Sequence, residues 1–588
     1  MADRVSSSST ASTSGRQTVT KLPSAKGFAF DLSPSREDAL ARRAAVSVFG
    51  EEYVEDCFSK LHRSSLSYEA LVGDLLEYDR PHAKSIRTDP VYQMAFQSIR
   101  RDLGSLSPSF KKLIPHTIGA VPKLPDFPRP KSPGLPWKLD GYRTKGEVVD
   151  KAENVAEINV MWHHIGAGIY HEYLPDVCLF ARSQVCAVGK EKIRSVWGYP
   201  LAVYMEEARF FYPIMEWLKG SEHKFPIGYG FEMSKGGMAA ISEMAVKIPN
   251  SKYMMTDWSK FDKTIPAWLI RDAFSLLAEL IDFDHVLDSE GKIWHVRGYR
   301  SRRRWKKLID YFIETPVRTC KGERFLVRAG VPSGSCFTNI VDTIVNCLVT
   351  RYLSYQTAGH FPVGEVYLGD DGVCVFPSSS VINLEAMSSL ASDCFGMVMN
   401  SSKSFVTRNV ENIHLLGYYN RPVGMPNRDQ SLLVVSFIHP ERSRSTAEEC
   451  AAAALGQLWS NFDPSIAALW YRILIYVSDA YLVDSSSVLD QLRRTAHRHK
   501  YLTHIGRSPS VLTIPRPNEF GTILDVLPDP VPRVIPPVRD YCYSTLAQEA
   551  FDFWSSFDGD PDFLDGGESS SGLKTEPSSS RHEIEPYV

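Results

Sequence analysis

The sequence predicts an α+β fold built on an antiparallel sheet packed against helices, and three segments in the middle of the chain carry that prediction. "KYMMTDW" (252–258) is a short apolar run that reads as a strand ending at Asp257. "CFTNIVDTIVNCLVTRYL" (336–353) sets Phe337, Ile340, Val341, Ile344, Val345 and Leu348 at the i, i+3, i+4, i+7 spacing of one helix face. A second stripe, Thr338, Asp342 and Asn346, is polar and four apart. "EVYLGDDGVCVF" (365–376) reads as two strands joined at a tight turn, with Gly369 and Gly372 able to take positive φ. The order strand, helix, hairpin suits an antiparallel sheet with a helix packed on it.

The rest follows along the chain. Residues 1–25 are Ser/Thr-rich with almost no large apolar side chains, so they are expected to be disordered. Residues 115–137 are proline-rich and end in "KSPGLPW". Lys190, Lys192 and Arg194 stand at alternate positions, which on a strand would put all three on one face. Residues 292–307, "KIWHVRGYRSRRRWKK", interleave cations with aromatics, and from Arg297 to Lys307 they read as a basic helix able to track an RNA backbone, meet a protein partner or simply be solvated. Residues 440–482 are Ala/Leu-rich with helical periodicity and are expected to close the folded part. From residue 557 the composition turns acidic and Ser/Gly/Pro-rich, the mark of a tail.

Composition narrows the class. The chain has 588 residues, 43% apolar and 23% charged, the profile of a globular protein with a large core. Its formal net charge is −3, so any nucleic-acid role must rest on local basic clusters. Ten cysteines stand singly, without C-x-x-C, which argues against a disulfide framework or a structural zinc. No signal-peptide core and no stretch of about 18 apolar residues is present, so no membrane partner is expected.

The carboxylates pose the functional question. Asp370 and Asp371 are adjacent anions at a turn flanked by Val366, Leu368, Val373 and Val375. Carboxylates in partly buried places are tolerated when they bind a cation. Consecutive strand side chains face opposite ways, so only one of the pair can face a neighbouring strand's acid. If the 252–258 strand lies beside the hairpin, Asp257 and Asp370 can share a site. Oxygen ligands select hard cations, Mg²⁺ above all, with Mn²⁺ as the alternative. Asp262, five residues beyond Asp257, can then reach over the site towards a substrate. Alone, a "GDD" is often only a surface turn and a D-x4-D says less still.

In sequence, the segments resemble the motif series of viral RNA-dependent RNA polymerases. "SPGLPW" resembles the fingers loop through which template passes, and "GKEKIRSVWGYP" (189–200) the basic motif that receives nucleotides. "DWSKFD", "GVPSGSCFTNIVDTIVN" (330–346), "YLGDD" and "SSLASDCFGMVMNSSKS" (388–404) resemble the first four palm motifs. "HLLGYY" (414–419) resembles the primer-grip turn. "VWGYP", "PSGSCFTN" and "LLGYY" are most similar to the partitivirus type of double-stranded RNA virus.

The resemblance implies a right-hand polymerase of fingers, palm and thumb. It divides the chain into an N-terminal region and fingers (26–250), palm (251–275 and 326–425), a fingers insertion (276–325), a helical thumb (426–545) and a tail (546–588). Asp257 and Asp370 are implied as metal ligands, with Asp371 as a second-rank carboxylate. Lys190, Lys192 and Arg194 would neutralise the triphosphate. Asp262, with Ser333, Thr338 and Asp342, would recognise the ribose hydroxyls. Many related polymerases carry asparagine where Asp342 stands, so two acids here would need a bridging donor, water or proton. Ser333, Gly334 and Ser335 suit a loop that shifts as template steps, or the N-cap of the following helix. Lys403 would give a proton to departing pyrophosphate. The implied partners are RNA template and product, nucleoside triphosphates and a viral capsid protein. The implied place is the virion interior and host cytoplasm. A reverse transcriptase and a non-catalytic genome-packaging protein on the same scaffold are the alternatives.

Overall fold

The computed structural model describes residues 18–81, 83–104, 109–169, 174–220, 226–229, 233, 236–421, 424–495, 512–515 and 536–556. Its central sheet has four strands: β1 (Lys252–Met255), β2 (Gly364–Leu368), β3 (Asp371–Phe376) and β4 (Phe405–Thr407). Their order in space is β2-β3-β1-β4, with every neighbouring pair antiparallel. Two helices complete the palm, α1 (Thr338–Ala358) and α2 (Leu384–Phe395).

The sheet divides two hydrophobic cores, and the two-residue period of a strand decides which side chain joins which. Met254, Tyr367, Cys374 and Phe376 face the core that contains α1 and α2. Tyr253, Met255, Val366, Val373 and Val375 face the core shared with the thumb helices. Register keeps each set together, since Met254 lies opposite Cys374, Met255 opposite Val373 and Tyr253 opposite Val375. Because both faces are covered, these strands read as continuous apolar runs rather than alternating ones.

β1 stops at Met255, so Asp257 stands two residues past its end rather than on it. Gly369 takes positive φ (65°) at the turn, but Gly372 does not; it lies in β3 opposite Tyr367. Glycine is needed at 372 for space, because a Cβ there would lie 2.6 Å from the Tyr367 ring.

Helix α1 is buried on all sides from Ile340 to Ser354, so its polar residues must be satisfied internally. Thr350 donates to Asn346 Oδ1, and Ser354 to the Thr350 carbonyl. Arg351 pairs with Glu365 of β2 and with Asp102.

The fingers carry a five-stranded sheet in the order Val19–Leu22, Arg324–Val327, Thr315–Arg318, Val177–Ser183, Ile193–Gly198. The expected disorder of 1–25 therefore does not extend to its end. The main-chain N–H groups of Thr18 and Val19 donate to Asp79 Oδ1, and the strand that follows pairs along Arg324–Val327. Residues 1–17 lie outside the described residues.

Two further boundaries differ from those expected. Helices Ala39–Phe49 and Glu51–Lys60, assigned to the fingers side, pack into the thumb core with Gln430–Ile438, Ala447–Trp459 and Pro464–Tyr481. Phe49 stacks edge-on against Trp470, with ring centroids 5.7 Å apart. At the other end, a tail beginning at 546 would cut the helix Tyr543–Ser556. That helix lies on Pro90–Asp102, with Leu546 and Ala550 buried, Trp554 against Phe96 (5.3 Å) and Arg100 over the Phe553 ring (3.9 Å). The folded part thus continues past the 440–482 block, through Ser485–Thr495 and Tyr543–Ser556.

Among the described residues no single helix is long and apolar enough to cross a membrane. The bent pair Pro464–Tyr481 and Ser485–Thr495 passes that test only jointly, at 117°, and buries Trp470, Ile473 and Leu474 in the thumb core.

Leu546 contributes its whole side chain to the docking of the last helix. Leu546→Ala is expected to weaken that docking by about 2–4 kcal/mol. The measurement is amide hydrogen exchange across 543–556; protection equal to wild type would contradict the packing.

Candidate active site

The turn between β2 and β3 is gripped from behind by α1. Thr343 Oγ1 accepts the Gly369 N–H at 2.8 Å, and Asn346 Nδ2 donates to the carbonyls of Gly369 (3.1 Å) and Asp371 (3.4 Å). The polar stripe of α1 therefore holds the backbone that presents the two aspartates. Asp370 is exposed. Asp371 has another engagement: its Oδ2 accepts the Leu416 N–H at 3.0 Å, where Leu416 takes positive φ (56°) in the "HLLGYY" turn.

Asp257 is fixed through its backbone. Its N–H donates to Ser404 Oγ (2.8 Å) and its carbonyl accepts from the Asn400 N–H (2.8 Å). The same turn brings Lys403 Nζ to 4.0 Å from Asp257 Oδ2, with both side chains largely open to solvent. Met255 pairs with Val373, so Asp257, two residues past β1, lies at the same end of the sheet as the Asp370-Asp371 turn, and continued pairing would set it across from Asp371. Among the described residues no three His, Cys, Asp or Glu side chains form a ready-made metal cage. Mg²⁺ does not need one, since it is ordinarily held by one or two carboxylates together with water and substrate phosphates. The all-oxygen donors Asp257 and Asp370 fit that chemistry.

Asp262 lies one turn on, in the short helix Phe261–Thr264, seated by the edge-on rings of Trp258 and Phe261 at 5.5 Å. The two rings bury the segment, while the Asp257 side chain stays open to solvent and that of Asp262 partly so. Arg194 Nη2 donates to Asp262 Oδ2 at 3.3 Å. Burial works against the charge of Arg194, but Asp262 and Asp370 more than offset it and raise its pKa. Asp342 is buried, and its Oδ1 has no hydrogen-bond partner. Burial, then the nearby charges of Asp262 and Asp370, push its carboxyl well above the usual range, which favours the protonated form. The proton needed between the two acids can reside on Asp342.

The Ser333–Ser335 loop is pinned on both sides. Ser333 Oγ accepts the Trp197 N–H (3.0 Å). Ser335 Oγ donates to Glu207 Oε1 (2.8 Å), and the Cys336 N–H donates to Glu207 Oε2 (2.8 Å). Neither serine caps α1, whose N-cap is Phe337. Thr338 Oγ1 donates back to the Pro332 carbonyl (2.6 Å), tying loop to helix rather than reaching Asp262.

Lys190 and Lys192 lie outside the strand that carries Arg194. The strand begins at Ile193, and both lysines lie in the exposed turn before it. That turn is drawn away because Val185–Ala187 pairs with Leu61–Arg63, while the Lys192 N–H donates to Ser64 Oγ (2.8 Å). The cationic stretch forms the helix Gly298–Ile313, and much of its charge is engaged within the protein. Arg304 pairs with Glu206, Arg303 donates to the Gly166 carbonyl (3.2 Å), and Arg302 lies over the Phe283 ring (4.5 Å).

Glu207 was not singled out from the sequence. The available signal was the pair Glu206-Glu207 inside the apolar helix "LAVYMEEARFFYPIMEWL". Glu206 is answered by Arg209 and Arg304. Burial pushes the Glu207 carboxyl up to about 8.

The model of the viral RNA-dependent RNA polymerase family matches residues 40–439. The chain belongs to this family. Similar polymerases include those of White clover cryptic virus 1 (24% identical over 301 residues, 48% of each chain) and Atkinsonella hypoxylon virus (27% over 314 residues, 47% of this chain and 46% of that one). A third, from Cryptosporidium parvum virus 1, is 27% identical over 274 residues, 43% of this chain and 44% of that one. The matched region spans about half the length of these curated relatives. The human picobirnavirus polymerase superposes with a TM-score of 0.55 at 16% identity, over 80% of this chain and 91% of that one. The Sicinivirus polymerase gives 0.58 at 12% identity, over 83% and 99%. The fold is the right hand of these polymerases.

A Cβ at Gly334 would lie 1.7 Å from the Trp197 carbonyl oxygen. Gly334→Ala is therefore expected to displace the loop and destabilise the protein by about 1–3 kcal/mol. A thermal midpoint equal to wild type would contradict this close approach.

Proposed function

We propose that the protein is an RNA-directed RNA polymerase, copying the double-stranded, segmented RNA genome of a partitivirus-like virus from nucleoside triphosphates. The observation that supports this reading best is that Asp257 and the Asp370-Asp371 turn lie at the same end of the sheet, with Arg194 paired to Asp262 and near Asp370, and Lys403 beside Asp257.

The reaction is attack of an RNA 3′-hydroxyl on the α-phosphorus of a base-paired triphosphate. An oxygen–phosphorus bond forms and the bond to pyrophosphate breaks. Asp257 and Asp370 would hold the divalent ions, with Asp371 behind them. When bound, such ions lower the charge on the reacting oxygens. The protein's own groups orient and balance charge. Arg194, kept cationic by its carboxylate neighbours, receives the triphosphate. Asp262 accepts a hydrogen bond from the ribose 2′-hydroxyl, and Asp342, holding its proton, donates as asparagine would. Lys403 stands where it can protonate the leaving pyrophosphate. Ser333 and Gly334, pinned against the fingers, form the wall along which template moves.

Template choice then belongs to base pairing, so the protein grips backbone shape rather than sequence. A capsid protein as partner, and the virion interior and host cytoplasm as setting, form part of this proposal and rest on the likeness to cryptic-virus polymerases. The carboxylate at 262 favours this reading over a reverse transcriptase. Retention of both Asp257 and Asp370 favours it over a packaging protein without catalysis.

Asp257→Asn and Asp370→Asn should each lower template-directed ribonucleotide incorporation by about 10³ or more, with the circular dichroism spectrum unchanged. Undiminished Mg²⁺-dependent incorporation by both variants would overturn the assignment. Asp342→Asn should keep most of the wild-type rate at neutral pH and Asp342→Ala should not. Steady-state kinetics of the two variants decides whether a protonated Asp342 does the work of an amide.

A further inference from the structure

The helix Tyr68–Leu76 lies outside every motif read from the sequence, yet it touches the neighbours of two groups on which nucleotide recognition rests. Near its end stands Asp74, with a side chain only 11% exposed. Its Oδ2 accepts the Ser195 N–H at 2.8 Å. Its Oδ1 is hydrogen-bonded and ion-paired to Lys263 Nζ. Ser195 directly follows Arg194, and Lys263 directly follows Asp262. One carboxylate therefore joins the main chain beside Arg194 to the buried side chain of the residue beside Asp262, on either side of the 3.3 Å Arg194–Asp262 pair.

The surroundings make this link stiff. Lys263 is buried and also donates to Glu77 Oε2 at 2.8 Å, while Lys260 donates to Glu77 Oε1 at 2.7 Å. Apolar packing alone would hold these segments together but would not fix their separation, because it lacks direction. Hydrogen bonds from a single carboxylate have both length and direction. A group that selects a hydroxyl must hold its own position to within about half an ångström.

We propose that Asp74 is a positioning residue for sugar selection: by bridging Ser195 N and Lys263 Nζ it sets the separation of Arg194 and Asp262. The proposal rests on the reading of Asp262 as the acceptor of the ribose 2′-hydroxyl. It gives the fingers helix a duty in discrimination without any contact to the nucleotide.

The test is a double-mutant cycle on the full chain, read as the ratio of kcat/KM for a ribonucleotide to that for the matching deoxynucleotide on one RNA template. Asp262→Ala is expected to lower the ratio. Asp74→Asn, which keeps shape but removes the charge, is expected to lower it by about tenfold. In the Asp262→Ala background, Asp74→Asn is expected to change it no further. A wild-type ratio in Asp74→Asn, or a full additional loss in the double variant, overturns the proposal and leaves the Asp262 reading standing. A wild-type ratio in Asp262→Ala overturns that reading and the proposal with it. If Asp74→Asn does not fold, Lys263→Met breaks the same bridge from its other end and carries the same expectations.

Discussion

Everything at the head of this sheet depends on gathering carboxylates that repel one another. Asp257, Asp262, Asp342, Asp370 and Asp371 come from three separate stretches of chain. Left in water they would move apart, since each desolvated like charge raises the cost of the next. The protein meets this in four ways. It lends a guanidinium, Arg194, to Asp262 and Asp370. It sets an ammonium, Lys403, beside Asp257. It gives Asp371 a main-chain donor from Leu416. It buries Asp342, which pushes that carboxyl towards its protonated form.

Such a cluster needs a rigid mounting, and the two-core sheet supplies it. Neither strand of the hairpin can slide by one residue without exchanging the sets of side chains that the two cores receive. Asn346 and Thr343, inside a helix with no exposed face at that level, hold the turn by its backbone atoms. The acids are thus presented by main chain whose position is dictated from both sides.

The palm was legible in the sequence because its signals are local. The helix face from Phe337 to Leu348, the hairpin around Gly369 and the strand before Asp257 each announce themselves within about fifteen residues. The seven segments together also disclosed the family. What escaped was decided by contacts between distant residues. Ala39–Phe49 has an ordinary amphipathic pattern that does not say which core it joins. Lys190 and Lys192 keep strand-like spacing, yet their strand begins later because Leu61–Arg63 claims the preceding segment. Glu207 and Asp74 look like surface acids until their partners, more than 100 residues away, are seen. A tail beginning at 546 takes in most of the helix Tyr543–Ser556, because polar composition downstream masks Leu546, Ala550, Phe553 and Trp554.

That last helix has a consequence for how the molecule is made. Its cradle, Pro90–Asp102, is also where Asp102 meets Arg351 of the palm and Arg539 from the approach to the helix. The cradle and the helix that lies on it are separated by more than 400 residues. A ribosome delivers the chain from its N-terminus. The palm is therefore translated well before residues 543–556 emerge, and until they do Leu546, Ala550, Phe553 and Trp554 are not there to cover Pro90–Asp102.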